Sequence, residues 1–144
     1  MAEKLFTKEE KEQIVAAIKA AELETSGEIQ VHLESHCKDD VLDRAADVFA
    51  MLKMHKTKLR NGVLFYLAVE DHKFAILGDG GINAVVPKDF WDSIKEVMVK
   101  HFKEGRFAEG LITGIQMSGK ALKEHFPYDG DSDENELSDE ISFG

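Results

Sequence analysis

The segment Gly62-Val63-Leu64-Phe65-Tyr66-Leu67-Ala68-Val69 contains no charged residue and does not alternate between polar and apolar. A strand wet on one face repeats with period two, so an unbroken apolar run predicts a strand covered on both faces. Such a strand needs a layer on each side of its sheet, and helices are the usual cover. The flanking segments can supply them. Thr7 followed by Glu10 forms a capping-box signature ahead of Ile14, Val15, Ile18 and Ala21, which predicts a helix over about 8–24. A second helix is expected over about 40–55, with Leu42, Ala45, Ala46, Phe49 and Leu52 as its apolar stripe. Two more are expected over about 89–103 (Phe90, Trp91, Ile94, Val97, Met98, Phe102) and about 107–125 (Ala108, Leu111, Ile112, Ile115, Leu122).

Glu28-Ile29-Gln30-Val31-His32-Leu33-Glu34 alternates, with Ile29, Val31 and Leu33 on one face, and reads as the first strand. Phe74-Ala75-Ile76-Leu77 follows the apolar run across the polar turn Glu70-Asp71-His72-Lys73, so these two strands form a hairpin. The first strand reaches the apolar run only through a helix, which makes the two parallel with a right-handed crossover. The fold class is therefore α/β: a three-layer helix-sheet-helix sandwich around a small mixed sheet of three to four strands.

A length of 144 residues fits one domain and needs no disulfide or metal to fold. Of the net charge of −10, the stretch 127–144 carries −7 and no base, leaving −3 for residues 1–126. This divides the chain into a domain, 1–126, and a disordered acidic tail, 127–144. The acidic balance excludes a general nucleic-acid binder and a polybasic lipid-surface domain. A single cysteine, Cys37, excludes an internal disulfide, CxxC zinc sites and iron–sulfur clusters. With no apolar run long enough for a membrane span and no signal core, the expected location is cytoplasmic. Nothing in the composition sets an oligomeric state. In the tail, Asp129, Asp131, Asp133 and Glu140 are spaced as in an EF-hand loop, but Glu134 stands where that loop needs glycine. The tail is thus expected to bind cations weakly and to engage a basic protein partner.

Topology localises the unusual residues. The starts of the two parallel strands and the end of the third meet at one sheet edge. That brings together Ser26-Gly27-Glu28, Arg60-Asn61-Gly62 and Gly78-Asp79-Gly80-Gly81. Glu28, Asn61 and Asp79 offer the oxygen ligands that a hard divalent cation takes, with calcium the first choice and magnesium the second. Gly78, Gly80, Gly81 and Arg60 form the loops around them. The competing reading pairs Arg60 with Asp79 or Glu28 and leaves the glycines to make a tight turn. A phosphate held by Arg60 and the amides leading into a short helix at Ile82–Val86 is a third arrangement, opposed by the charge of Asp79. His32 and His36 read as a polar sheet face and a solvated loop, and Cys37 as an inert thiol.

Thr25-Ser26-Gly27-Glu28-Ile29-Gln30-Val31, Arg60-Asn61-Gly62-Val63-Leu64, the stretch 73–81 and the stretch 102–111, taken in that order, resemble the TPM domain family. Thr25-Ser26-Gly27-Glu28-Ile29-Gln30-Val31 resembles the opening of that family's first strand, and Arg60-Asn61-Gly62-Val63-Leu64 its "(D/N)-N-G-V-L" segment. Lys73-Phe74-Ala75-Ile76-Leu77-Gly78-Asp79-Gly80-Gly81 is similar to its charged turn, strand and glycine loop. Phe102-Lys103-Glu104-Gly105-Arg106-Phe107 through Leu111 resembles its closing motif. The resemblance implies a helix-sheet-helix sandwich and divalent-cation binding, calcium in particular, at the converging loops. Some plant members are credited with acid-phosphatase activity. Arg60 departs from the acidic or amide residue common at its position. The expected function is a cation-binding domain with a structural or regulatory role. The alternatives are a metal-dependent phosphomonoester hydrolase and a protein-interaction module that uses the tail or a helix face.

Overall fold

The computed structural model describes residues 6–128 and 140–144. The first helix, α1 (Lys8–Glu22), opens with the expected capping box: the Thr7 hydroxyl accepts from the Glu10 amide and the Glu10 carboxylate accepts from the Thr7 amide. The strand β1 (Glu28–Glu34) follows, then α2 (Val41–Met51), capped by the Asp40 carboxylate on the Leu42 and Asp43 amides. A single 3₁₀ turn, Met54–Lys56, leads to β2 (Gly62–Ala68) and its hairpin partner β3 (Lys73–Gly78). The short α3 (Gly80–Asn83), α4 (Phe90–Lys103), α5 (Phe107–His125) and a two-residue β4 (Ser142–Phe143) complete the chain.

The sheet order is β3-β2-β1-β4. β1 and β2 are parallel, in register from Glu28 opposite Gly62 to Glu34 opposite Ala68. β3 is antiparallel to β2, and β4 is parallel to β1. The sandwich, the parallel pairing of β1 with β2 and the β2–β3 hairpin are those expected from the sequence. One cluster packs Ile29, Val31, Leu33, Val63, Phe65, Leu67 and Ile76 against Ile14, Ile18, Ile94, Met98, Leu111, Ile115 and Leu122 of α1, α4 and α5. The second packs Leu64, Tyr66, Ala68 and Ala75 against Ala45, Val48 and Phe49 of α2, with Met54. All seven residues of β2 are buried, as its unbroken apolar character requires.

Two findings depart from expectation. All seven residues of β1 are buried, so its polar residues Glu28, Gln30, His32 and Glu34 do not form a wet face. The chain also does not stay structureless to residue 144: Ser142 and Phe143 pair with His32 and Leu33, and the Gly144 amide donates to the Leu33 carbonyl (2.8 Å). This short edge strand satisfies backbone groups on β1 that would otherwise form the sheet's free edge. Most of the stretch expected to be a tail, 129–139, including the EF-hand-like Asp129, Asp131 and Asp133, lies outside the described residues.

Thr25 ties the start of the chain to its last helix. Its hydroxyl hydrogen faces the Leu122 carbonyl (3.0 Å) and the Phe126 carbonyl, while its oxygen accepts from the Gly27 amide (3.0 Å). Pro127 then bridges to Thr25, just beyond the end of α5. Thr25→Val keeps the shape but removes the donor and the acceptor from a buried position. It should lower stability in urea by about 1–3 kcal/mol with no change of fold.

Candidate functional site

The three segments singled out in the sequence meet at one edge through backbone hydrogen bonds. The Glu28 amide donates to the Asn61 carbonyl (3.4 Å), the Asp79 amide to the Gly62 carbonyl (2.9 Å), and the Gly81 amide to the Arg60 carbonyl (2.7 Å). Glu28, Asn61 and Asp79 are all buried, at 2%, 1% and 6% exposure. Their side chains are differently engaged. Asp79 accepts from Arg60 Nε and Nη2, both at 2.7 Å, and caps α3 by accepting from the Gly80 amide (2.8 Å). Asn61 turns its amide to the Ser26 hydroxyl (3.4 Å). Burial pushes the Asp79 carboxyl up, but Arg60 and the Gly80 amide outweigh it and hold the group below its ordinary range. The ion pair weighed from the sequence is thus present in the bidentate form that arginine favours. Among the described residues no three His, Cys, Asp or Glu side chains are grouped closely enough to hold a metal ion. A cation at this edge would therefore rely on the two carboxylates together with amide and backbone oxygens.

None of Gly78, Gly80 and Gly81 has positive φ, and two of them, Gly78 and Gly81, are required for close approach. A Cβ at Gly81 would run into the Leu59 and Arg60 carbonyls, and one at Gly78 into the Trp91 ring and the Asn83 amide. A Cβ at Gly80 would meet nothing. Arg60 itself has φ 53°, a left-handed conformation that side chains rarely adopt. The turn therefore aims the guanidinium at Asp79 while its carbonyl accepts from Gly81. Asn83 locks the far side, donating to the Gly78 carbonyl (2.8 Å) and accepting from Trp91 Nε1 (2.7 Å).

A second polar cluster, not foreseen in the sequence, lies at the opposite end of β1. Glu34 accepts from Tyr66 Oη (2.5 Å), from Arg44 Nε (3.1 Å) and Nη2, and lies 3.1 Å from His32 Nε2. His32 Nδ1 meets the Ser142 hydroxyl (2.8 Å) of β4. Burial pushes the Glu34 carboxyl up, but the hydrogen bonds from Arg44, Tyr66 and His32 win and take it down to about 2. Burial likewise depresses His32, which favours the neutral ring, and raises the Tyr66 phenol. A sequence signal did exist. His32 and Glu34 share a strand face, and the register puts that face beside Tyr66. Arg44, however, reaches them from α2. Beyond this cluster, Asp71 binds the Cys37 amide (2.6 Å) and His36 (3.0 Å), so the β2–β3 turn is fastened to the segment after β1. Cys37 is buried and its thiol donates to the Asp39 carbonyl (3.3 Å).

Comparison with known proteins gives a consistent result. A family model described as the TPM domain matches residues 2–121. The chain is 53% identical to the BA42 protein of the psychrophilic bacterium Bizionia argentinensis, whose NMR structure superposes with a TM-score of 0.91 over 99% of this chain and 97% of that one. It is also similar to the N-terminal domain of a P. gingivalis protein (22% identity, TM-score 0.70, 87% of this chain and 83% of that one). A third likeness is to the N-terminal domain of the cg2496 protein of Corynebacterium glutamicum (16%, TM-score 0.61, 81% and 74%). The last two likenesses show the fold alone. No curated protein matches the chain. No helix among the described residues is long and apolar enough to cross a membrane.

Two predictions follow from this geometry. Gly81→Ala should cost about 1–3 kcal/mol, because backbone carbonyls rather than flexible side chains must give way, whereas Gly80→Ala should stay within about 0.5 kcal/mol of the parent. Urea titrations of the pair check this. The second concerns pH. The Glu34 carboxyl is depressed in the fold, so its contribution is complete above its ordinary value of 4.5 and is lost as pH falls toward about 2. Glu34→Gln should be less stable than the parent by about 3 kcal/mol at neutral pH, and the gap should narrow across that acid window. Chemical denaturation from neutral to acid pH measures it.

Proposed function

The chain belongs to the TPM domain family, and on that premise we propose that it takes a divalent cation, calcium before magnesium, at the Glu28, Asn61 and Asp79 edge. The observation that carries this reading is an asymmetry of burial in one ion pair. The Asp79 carboxylate is 6% exposed, whereas the Arg60 side chain that neutralises it is 56% exposed. The fold holds the anion in place; its counter-charge stands in water and can leave. A carboxylate with Arg60 on its outer side retains lone pairs for a second cation or for a replacement. Glu28 and Asn61 add further hard oxygens at the same edge, which is the donor chemistry calcium takes. In this reading Arg60 competes with the cation for Asp79, and exchange of one for the other regulates the order of the Gly78–Gly81 loop. The role is structural or regulatory.

The competition gives the test a sign that a merely structural ion pair would not. Calcium titration of isotope-labelled protein, followed amide by amide, should show saturable shifts at Glu28, Asn61 and Gly78–Gly81. Arg60→Gln should tighten binding by roughly threefold or more, because the competing guanidinium is gone. Asp79→Asn should remove these shifts. Shifts that survive Asp79→Asn, or that weaken in Arg60→Gln, overturn the proposal.

A further inference from the structure

A groove opens at the far end of the β2–β3 hairpin, where the hairpin meets the corner between α4 and α5. It encloses about 350 Å³ and its apolar walls include Leu67, Val69, Phe74, Val99, Phe102 and Phe107. That volume lies at the low end of the range of about 300–1,000 Å³ typical of small-molecule sites. The three phenylalanines are only half-buried. Phe74 meets Phe102 edge-on, with ring centroids 5.1 Å apart, and Phe102 stacks on Phe107 at 5.5 Å. The aromatic wall is therefore built in advance, and its remaining apolar surface faces water.

The rim is cationic on a molecule whose net charge is −10. Lys103 and His72 line the mouth, and Lys95 Nζ stands 5.8 Å from the centroid of the Phe74 ring. The acids of the adjoining turn are committed elsewhere: Glu70 (3.1 Å) and Asp71 (3.0 Å) both pair with His36, on the side of β1. Asp92 and Glu96 lie with Lys95, Lys100 and Lys103 along the outer surface of α4, where bases outnumber acids. The combination selects a ligand with an apolar body and a single anionic head. A neutral apolar molecule would leave the lysines unused, and inorganic phosphate would leave the aromatic wall wet.

We propose that this groove binds a small amphipathic carboxylate, a medium-chain fatty acid in chemical class. The chain lies against Phe74, Phe102 and Phe107, and the carboxylate lies at Lys95 and Lys103. The site is at the opposite end of β2 from Asp79 and does not depend on the cation reading.

Decanoate is the probe, with decanol as its neutral counterpart, both titrated into the full chain well below micelle-forming concentration. Amide shifts should saturate at one equivalent and centre on Leu67, Val69, Phe74, Val99 and Phe102, with decanoate binding more tightly than decanol. Val99→Trp fills the groove and should weaken decanoate by about tenfold or more. Lys103→Glu should weaken decanoate by roughly threefold while leaving decanol unchanged. If Val99→Trp fails to fold by circular dichroism, Phe107→Leu, which removes one ring of the wall, takes its place. Shifts that do not saturate, that centre elsewhere, or that ignore both groove variants overturn the site. Equal affinity for decanol overturns the assignment of a carboxylate.

Discussion

The parallel pairing of β1 with β2 is the constraint from which the rest of the structure descends. Parallel neighbours cannot be joined by a tight turn, so α2 must cross between them, and the crossover covers one sheet face. The strands that this buries need a second layer, which α1, α4 and α5 supply. The pairing also sets both ends of the sheet. It brings the starts of β1 and β2 beside the end of β3, and this alone places Glu28, Asn61 and Asp79 at a common edge. At the other end it sets His32 opposite Tyr66 and Glu34 opposite Ala68, which creates the buried cluster around Glu34.

What could be read from the sequence was whatever repeats along the chain. Ile14 and Ile18 of α1, or Val31 and Leu33 of β1, announce their element and their buried face by spacing, and the structure packs them as that spacing implies. The convergence of the Gly78–Gly81 loop with Arg60 and Asn61 was legible for the same reason, because it follows from strand order alone. The polar face of β1 was not legible. Alternation states that Gln30, His32 and Glu34 share a face, but not whether that face is wet. Arg44, ten residues from Glu34, and Ser142, 110 residues from His32, decide the matter, and distant partners leave no periodic signal. β4 was hidden because two residues carry no pattern and the preceding stretch is acidic. The reason for glycine at position 81 was hidden in the same way. Gly81 is needed because the Leu59 and Arg60 carbonyls approach it from another segment, and no local pattern announces that approach.

The two ends of the parallel pair handle one problem, a buried carboxylate, in different ways. Glu34 sits beside a guanidinium, a phenol and an imidazole, and its arginine is itself only 28% exposed. Exchanging any one partner there would leave others aimed at the same anion, so the arrangement is closed and structural. Asp79 has one guanidinium, 56% exposed, and one amide from its own turn. Burial of the anion is common to both; the redundancy of its partners is not. The exposed partner of Asp79 is what the proposed exchange with a cation requires. That difference, rather than the count of acids at either end, separates the Asp79 edge from the Glu34 cluster, which fastens β1 to α2 and β4.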